Sequence, residues 1–97
     1  MVKINNLEWK VITEPSSYMY LGLTAKDKLE IHIARVPSVQ SIQRTVTHEV
    51  VHAYLYSYGF PTNKYTEEEL CEFIANNAGT ILYISQQVFD ELNLEVE

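Results

Sequence analysis

One cysteine, three glycines and three prolines are all that a chain of 97 residues contains of each. The lone Cys71 excludes an internal disulfide framework and a cysteine-rich zinc ribbon, and it fits a reducing, cytoplasmic setting. So few glycines and prolines exclude a linker, a collagen-like repeat or a disordered tail. No apolar run approaches the roughly 18 residues of a membrane-spanning helix. The opening MVKINNLEWK lacks the apolar segment of a signal peptide. Basic side chains are absent from residues 65–97, which carry Glu67, Glu68, Glu69, Glu72, Asp90, Glu91, Glu95 and Glu97. With a net charge of −6 and no basic patch there, the chain is expected to bind neither nucleic acid nor anionic lipid. At 46% hydrophobic and 21% charged, it has the composition of one globular domain spanning residues 1–97.

The first third reads as strands. Leu7, Trp9 and Val11 alternate with Glu8 and Lys10, residues 18–23 form a β-rich run, and Leu29, Ile31 and Ile33 alternate with Glu30 and His32. Short turns between them predict a small antiparallel sheet of about three strands. After Pro37 the period changes. Ser38 can cap a helix reaching to about residue 58, with Val39, Ile42, Val46, Val50 and Ala53 on its apolar side. A second helix starts at the capping box Thr66-x-x-Glu69 and runs toward Leu92, with Leu70, Phe73, Ile74, Ala78, Ile81 and Ile84 inward. Sheet first and two helices after it make the fold class α+β.

The first helix carries Thr47-His48-Glu49-Val50-Val51-His52-Ala53, a match to H-E-x-x-H. Residues i and i+4 of a helix share a face, so His48 and His52 can present two imidazole nitrogens to one Zn²⁺. Glu49, turned about 100° around the axis, falls beside such an ion rather than on it, as a general base for its water. Composition alone gives roughly 0.007 such matches in a chain like this, which leaves two unrelated histidines a poor explanation.

A catalytic zinc needs a third protein ligand. His32 and the second-helix glutamates are the candidates. Glu67 and Glu68 suit the helix dipole, and Glu69 has a capping role. Glu72 heads a stripe of Ala75, Asn76 and Gly79, small enough for another helix to approach. If that helix carries the histidines, Glu72 completes a His₂Glu set, with Glu69 the alternative ligand. Asn76 could then hydrogen-bond the far nitrogen of a ligand imidazole. Tyr54, Tyr56, Tyr58, Tyr65 and Tyr83 are candidates to stabilise an oxyanion. The strand at residues 29–33 could hold an extended substrate by strand addition, and an acidic cleft would favour basic or neutral peptides. Cys71 reads as a small buried apolar residue.

His48-Glu49-x-x-His52 followed, after 19 intervening residues, by Glu72-x-x-x-Asn76 resembles the signature of gluzincin metallopeptidases, the thermolysin-like class. That class usually has Asp where Asn76 stands. The resemblance covers residues 29–82, and at this length the chain is similar to minimal gluzincins. It is also similar to small phage- and prophage-borne HExxH proteins related to the repressor-cleaving ImmA/IrrE group. The resemblance implies a zincin-like core and hydrolysis of peptide or protein substrates by a zinc-activated water, with Glu49 as base. It further implies latency, in which a homo-oligomer or a terminal segment blocks the cleft; the tail from Glu91 to Glu97 could supply a carboxylate to the zinc. The competing expectation is a non-catalytic interaction module of a mobile element, stabilised by zinc.

Overall fold

The computed structural model describes residues 1–94 and is α+β, a four-stranded mixed sheet with three α-helices. The strands are β1 (Val2–Ile4), β2 (Leu7–Glu14), β3 (Gly22–Ala25) and β4 (Glu30–Ala34). The helices are α1 (Val39–Ser57), α2 (Glu67–Asn76) and α3 (Ala78–Glu91), and a short 3₁₀ turn, Thr62–Lys64, leads into α2.

β1 and β2 form an antiparallel hairpin in which Ile4 faces Leu7. Its two turn residues, Asn5 and Asn6, both have positive φ, at 44° and 70°. Asparagine tolerates that conformation, which a two-residue hairpin turn needs at both positions. β3 and β4 make a second antiparallel pair. The two pairs join through β2 and β4, which run parallel from Lys10–Glu30 to Glu14–Ala34, so the strand order is β1-β2-β4-β3. The expected all-antiparallel sheet is therefore corrected to a mixed one. Residues 15–21 explain the difference. Instead of turning tightly back beside β2, this connection crosses the width of β4, roughly 9.6 Å for two strand spacings. Of the run expected as a strand, residues 18–21 belong to that connection, with Met19 at 82% exposure, and pairing begins only at Gly22. The strand expected at residues 29–33 to take a substrate by strand addition is β4, which lies inside the sheet with both sides paired, and β3 takes the edge.

Alternation places Ile31 and Ile33 inward and Glu30 and His32 on the opposite face. Onto the inward face packs α1 through Ile42, Val46, Val50 and Ala53, and α3 adds Ile81, Ile84 and Val88 to the same core. Trp9, fully buried, donates from Nε1 to Ser57 Oγ at 2.9 Å. Asn5 Nδ2 donates to the Ser57 carbonyl at 2.9 Å, so the first hairpin grips the C-terminal end of α1 twice.

Both helix starts follow the side chains that mark them. Ser38 accepts from the Ser41 backbone N–H, and Thr66 and Glu69 form the reciprocal capping box. The second helix is broken, however, at Asn77 (φ −114°, ψ 10°). Asn77 Nδ2 donates to the Phe73 carbonyl at 2.7 Å while its Oδ1 accepts from the Tyr54 hydroxyl at 3.0 Å. A side chain that competes for helical carbonyls favours termini over interiors, which accounts for the break. It also separates two packing regimes. α2 buries none of its residues, and Ile74, expected inward, is 37% exposed, whereas α3 buries Ile81, Ile84, Ser85 and Val88.

Candidate metallopeptidase site

His48 and His52 lie one turn apart on α1, both exposed, with ring centroids 5.0 Å apart and planes inclined at 68°. Glu49 has the opposite exposure. It is 7% exposed and turned beneath the edge strand β3. Its Oε1 accepts from the Thr24 hydroxyl at 2.8 Å, and the same hydroxyl is 3.1 Å from the Glu49 carbonyl oxygen.

Gly22, two residues before Thr24 and so on the same side of β3, makes room for this carboxylate. A Cβ at Gly22 would stand 2.6 Å from Thr45 Cγ2, 2.9 Å from Glu49 Cγ and 3.0 Å from Glu49 Oε2. Neither Gly22 nor Thr24 was among the residues expected at the site. The available signal was a glycine inside a strand pattern, which marks close approach of another chain segment.

Two recesses meet at Gly22, His48 and Glu49. One, of about 480 Å³, extends past Tyr20, Leu21, Arg44 and Thr45. The other, of about 340 Å³, extends past Thr24, Lys26 and His52. The charges around them overturn the expected acidic cleft. Arg44 and Lys26 stand at either side of Glu49, while among the described residues Glu67, Glu68, Glu69, Glu72 and Glu91 line neither recess. Arg44 precedes His48 by one helical turn, a spacing that was legible. Tyr20 borders the larger recess, whereas the tyrosines expected near the chemistry pack elsewhere. Tyr54 bonds Asn77, Tyr56 meets the Trp9 ring edge-on, Tyr58 lies against Tyr54, and Tyr65 stacks on Phe60. Tyr83 is 67% exposed and borders a different hollow beside β1.

Partial burial pushes the His52 imidazole below the ordinary histidine value; Glu49 opposes the shift, and His48 and Lys26 add to it. Burial, and then its neighbour Tyr58, raise the Tyr54 hydroxyl, which stays a proton donor to Asn77.

The structure does not bring the expected third ligand to the histidines. Glu72 is exposed on α2, beside a separate hollow with Phe60, Tyr65, Glu68, Glu69 and Phe73. Among the described residues, no three His, Cys, Asp or Glu side chains gather as a metal ion requires. The stripe expected to admit a neighbouring helix faces outward. Ala75, Asn76 and Gly79 are exposed, and a Cβ at Gly79 would meet nothing within 4 Å. Asn76 contacts neither histidine through a hydrogen bond; its neighbour Asn77 instead accepts from the Tyr54 hydroxyl of α1. The Glu69 carboxylate accepts from Thr66 N and Oγ1, as its capping role requires. His32 is held between Glu14 (2.8 Å) and Glu30 (3.0 Å) with Tyr18 stacked on its ring. Cys71, expected buried, is exposed. Residues 95–97 of the tail expected to reach the cleft lie outside the described residues.

The donor set therefore fits a zinc ion in kind but only in part. Two adjacent imidazoles and a neighbouring carboxylate base are assembled, and a third ligand is not. No helix among the described residues is long and apolar enough to cross a membrane. Comparison of the chain with known protein families, curated proteins and solved structures finds no match in any of the three.

Proposed function

We propose that this chain is a zinc-dependent peptidase of gluzincin type, acting in the cytoplasm on peptide or protein substrates and latent in the conformation described. The observation that carries the reading is Glu49, a carboxylate buried under an edge strand and oriented by Thr24, beside two exposed imidazoles one turn apart. A surface glutamate with no task has no need of such a cradle.

His48 and His52 would hold the ion, with Glu72 as third ligand once α2 is re-seated. None of the α2 residues is fully buried, but Phe73 packs on the core against Tyr54 and Phe60, so re-seating α2 would break those contacts. Zinc, when bound, acidifies its water and polarises a carbonyl. Thr24 fixes Glu49 Oε1, leaving Oε2 to take the proton of the attacking water and pass it to the departing amine. The free edge of β3 would pair with the substrate backbone. The reading in which zinc only braces the fold is weakened by a core that is continuous without either histidine.

Metal analysis and hydrolysis test the proposal together. Zinc-supplemented wild-type protein should retain one ion per chain, Glu72→Ala should lose it, and Glu69→Ala should keep it. Glu49→Gln should keep the ion and lose peptide hydrolysis. Hydrolysis surviving Glu49→Gln refutes the assigned base, and a wild type that takes up no zinc refutes the metal centre.

A further inference from the structure

Basic groups are scarce here, and two of the seven border one groove. Arg44 lies one turn before His48, and Lys26 lies just past the end of β3 on the His52 side. Like the other Lys and Arg side chains, neither has an ion-pair partner among the described residues, so what sets these two apart is their place beside the groove. A cation left free in an acidic protein is available to a ligand's anion. Beside Arg44 the groove has a second distinctive feature. Met19, Tyr20 and Leu21 are 82%, 52% and 55% exposed, an apolar margin leading directly into the free edge strand.

We infer that this groove binds an extended peptide along β3, with an acidic side chain (Asp or Glu) paired to Arg44 and a neighbouring apolar side chain on Met19, Tyr20 and Leu21. Strand addition supplies sequence-independent backbone bonds, and alternate side chains enter the flanking recesses. Carboxylate recognition follows from the planar guanidinium, which can make two parallel hydrogen bonds to it. An internal acidic residue fits better than a chain end, because the margin beyond Arg44 is itself exposed and does not wall off the groove. For what happens after binding, the inference rests on the peptidase reading of the same site.

The test separates the two. Fluorescein-labelled, C-terminally amidated heptapeptides carrying one Leu beside Glu, Gln or Lys are titrated into the full chain in chelator, and anisotropy is read. The Glu peptide should bind about threefold to fivefold tighter than the Gln peptide, the scale of one exposed ion pair, with Lys weakest. Arg44→Glu should invert that order, and Arg44→Gln should level it. Lys3→Glu, the same change in net charge on β1, should leave it intact. An order that survives Arg44→Glu, equal binding of all three peptides, or no binding at all overturns the inference. So does discrimination that appears only when the peptide has a free C-terminal carboxylate. The same peptides are then incubated with zinc-loaded protein. Binding that inverts with Arg44→Glu but leads to no hydrolysis upholds the groove and defeats the peptidase reading instead.

Discussion

Replacing Gly22 by alanine adds one methyl group where the edge strand approaches α1 closely. Gly22 has no positive φ, so alanine can adopt its backbone conformation. In open space such a change would stabilise the fold by about 0.4–1 kcal/mol, through the entropy of the unfolded chain. Here the methyl would stand 2.6 Å from Thr45 Cγ2 and 2.9 Å from Glu49 Cγ. Thr45 is β-branched and stiff, and Glu49 is tethered to Thr24, so neither yields freely. Overpacking of this kind costs about 1–3 kcal/mol, which outweighs the entropic gain and sets the sign. With a urea slope of about 1 kcal/mol per M for a chain this small, the unfolding midpoint should fall by about 1–2 M. Thr45→Ser in the same chain should recover part of the loss, because it removes the closest atom. Gly79→Ala is the opposite control. A Cβ there meets nothing, and alanine in a helix should raise stability by roughly 0.5–1 kcal/mol. If Gly22→Ala proved as harmless as Gly79→Ala, the close approach of β3 to Glu49, and with it the cradle for the proposed base, would be refuted.

Three further outcomes follow from neighbouring contacts. Thr24→Val keeps the side-chain shape but removes the donor to a buried carboxylate, and should cost about 1–3 kcal/mol in urea unfolding. An unchanged midpoint would show that solvent already satisfies Glu49. Tyr54→Phe deletes the bond to Asn77 Oδ1, and should cost about 0.5–1.5 kcal/mol and speed amide exchange around the α2–α3 junction more than in α1. Uniform acceleration through α1 would count against Asn77 as a local anchor. His52 is depressed in the fold, so the unfolded chain takes up its proton first. Its share of stability is present above about pH 6.5 and is lost as pH falls through the lower folded value. The difference in urea midpoint between wild type and His52→Gln should therefore change between pH 7.5 and pH 5, with wild type losing more; parallel pH curves would argue against the shift.

Local chemistry was the legible part of the fold. Ser38, Thr66 and Glu69 announce helix starts because capping is decided within four residues. The alternation around Trp9 and Ile31 announces strands for the same reason. Partner choice is not local. Nothing in the period of Lys10–Glu14 says that it will lie parallel to β4, and residues 18–21 have strand-like side chains yet serve as a crossing. β1, at three residues, is too short for a period to register. At the site, His48, Glu49 and His52 were readable because one helix fixes their spacing, whereas Gly22 and Thr24 arrive from 25 or more residues away. Glu72 depended on which side of α2 meets α1, and that side carries Phe73, which packs against Tyr54 and leaves Glu72 exposed.

The sheet is in effect two prefabricated hairpins glued along one seam, β2 against β4. Within each hairpin the turn dictates alignment, but along the seam only side-chain fit does. Sliding by two residues there would preserve which faces point inward, yet carry β3 about 6.6 Å along α1 as a block. Changes of length in residues 15–21 should thus leave the sheet register intact while altering the groove margin at Met19, Tyr20 and Leu21, whereas the five pairings from Lys10–Glu30 to Glu14–Ala34 are what aim the edge strand at the helix.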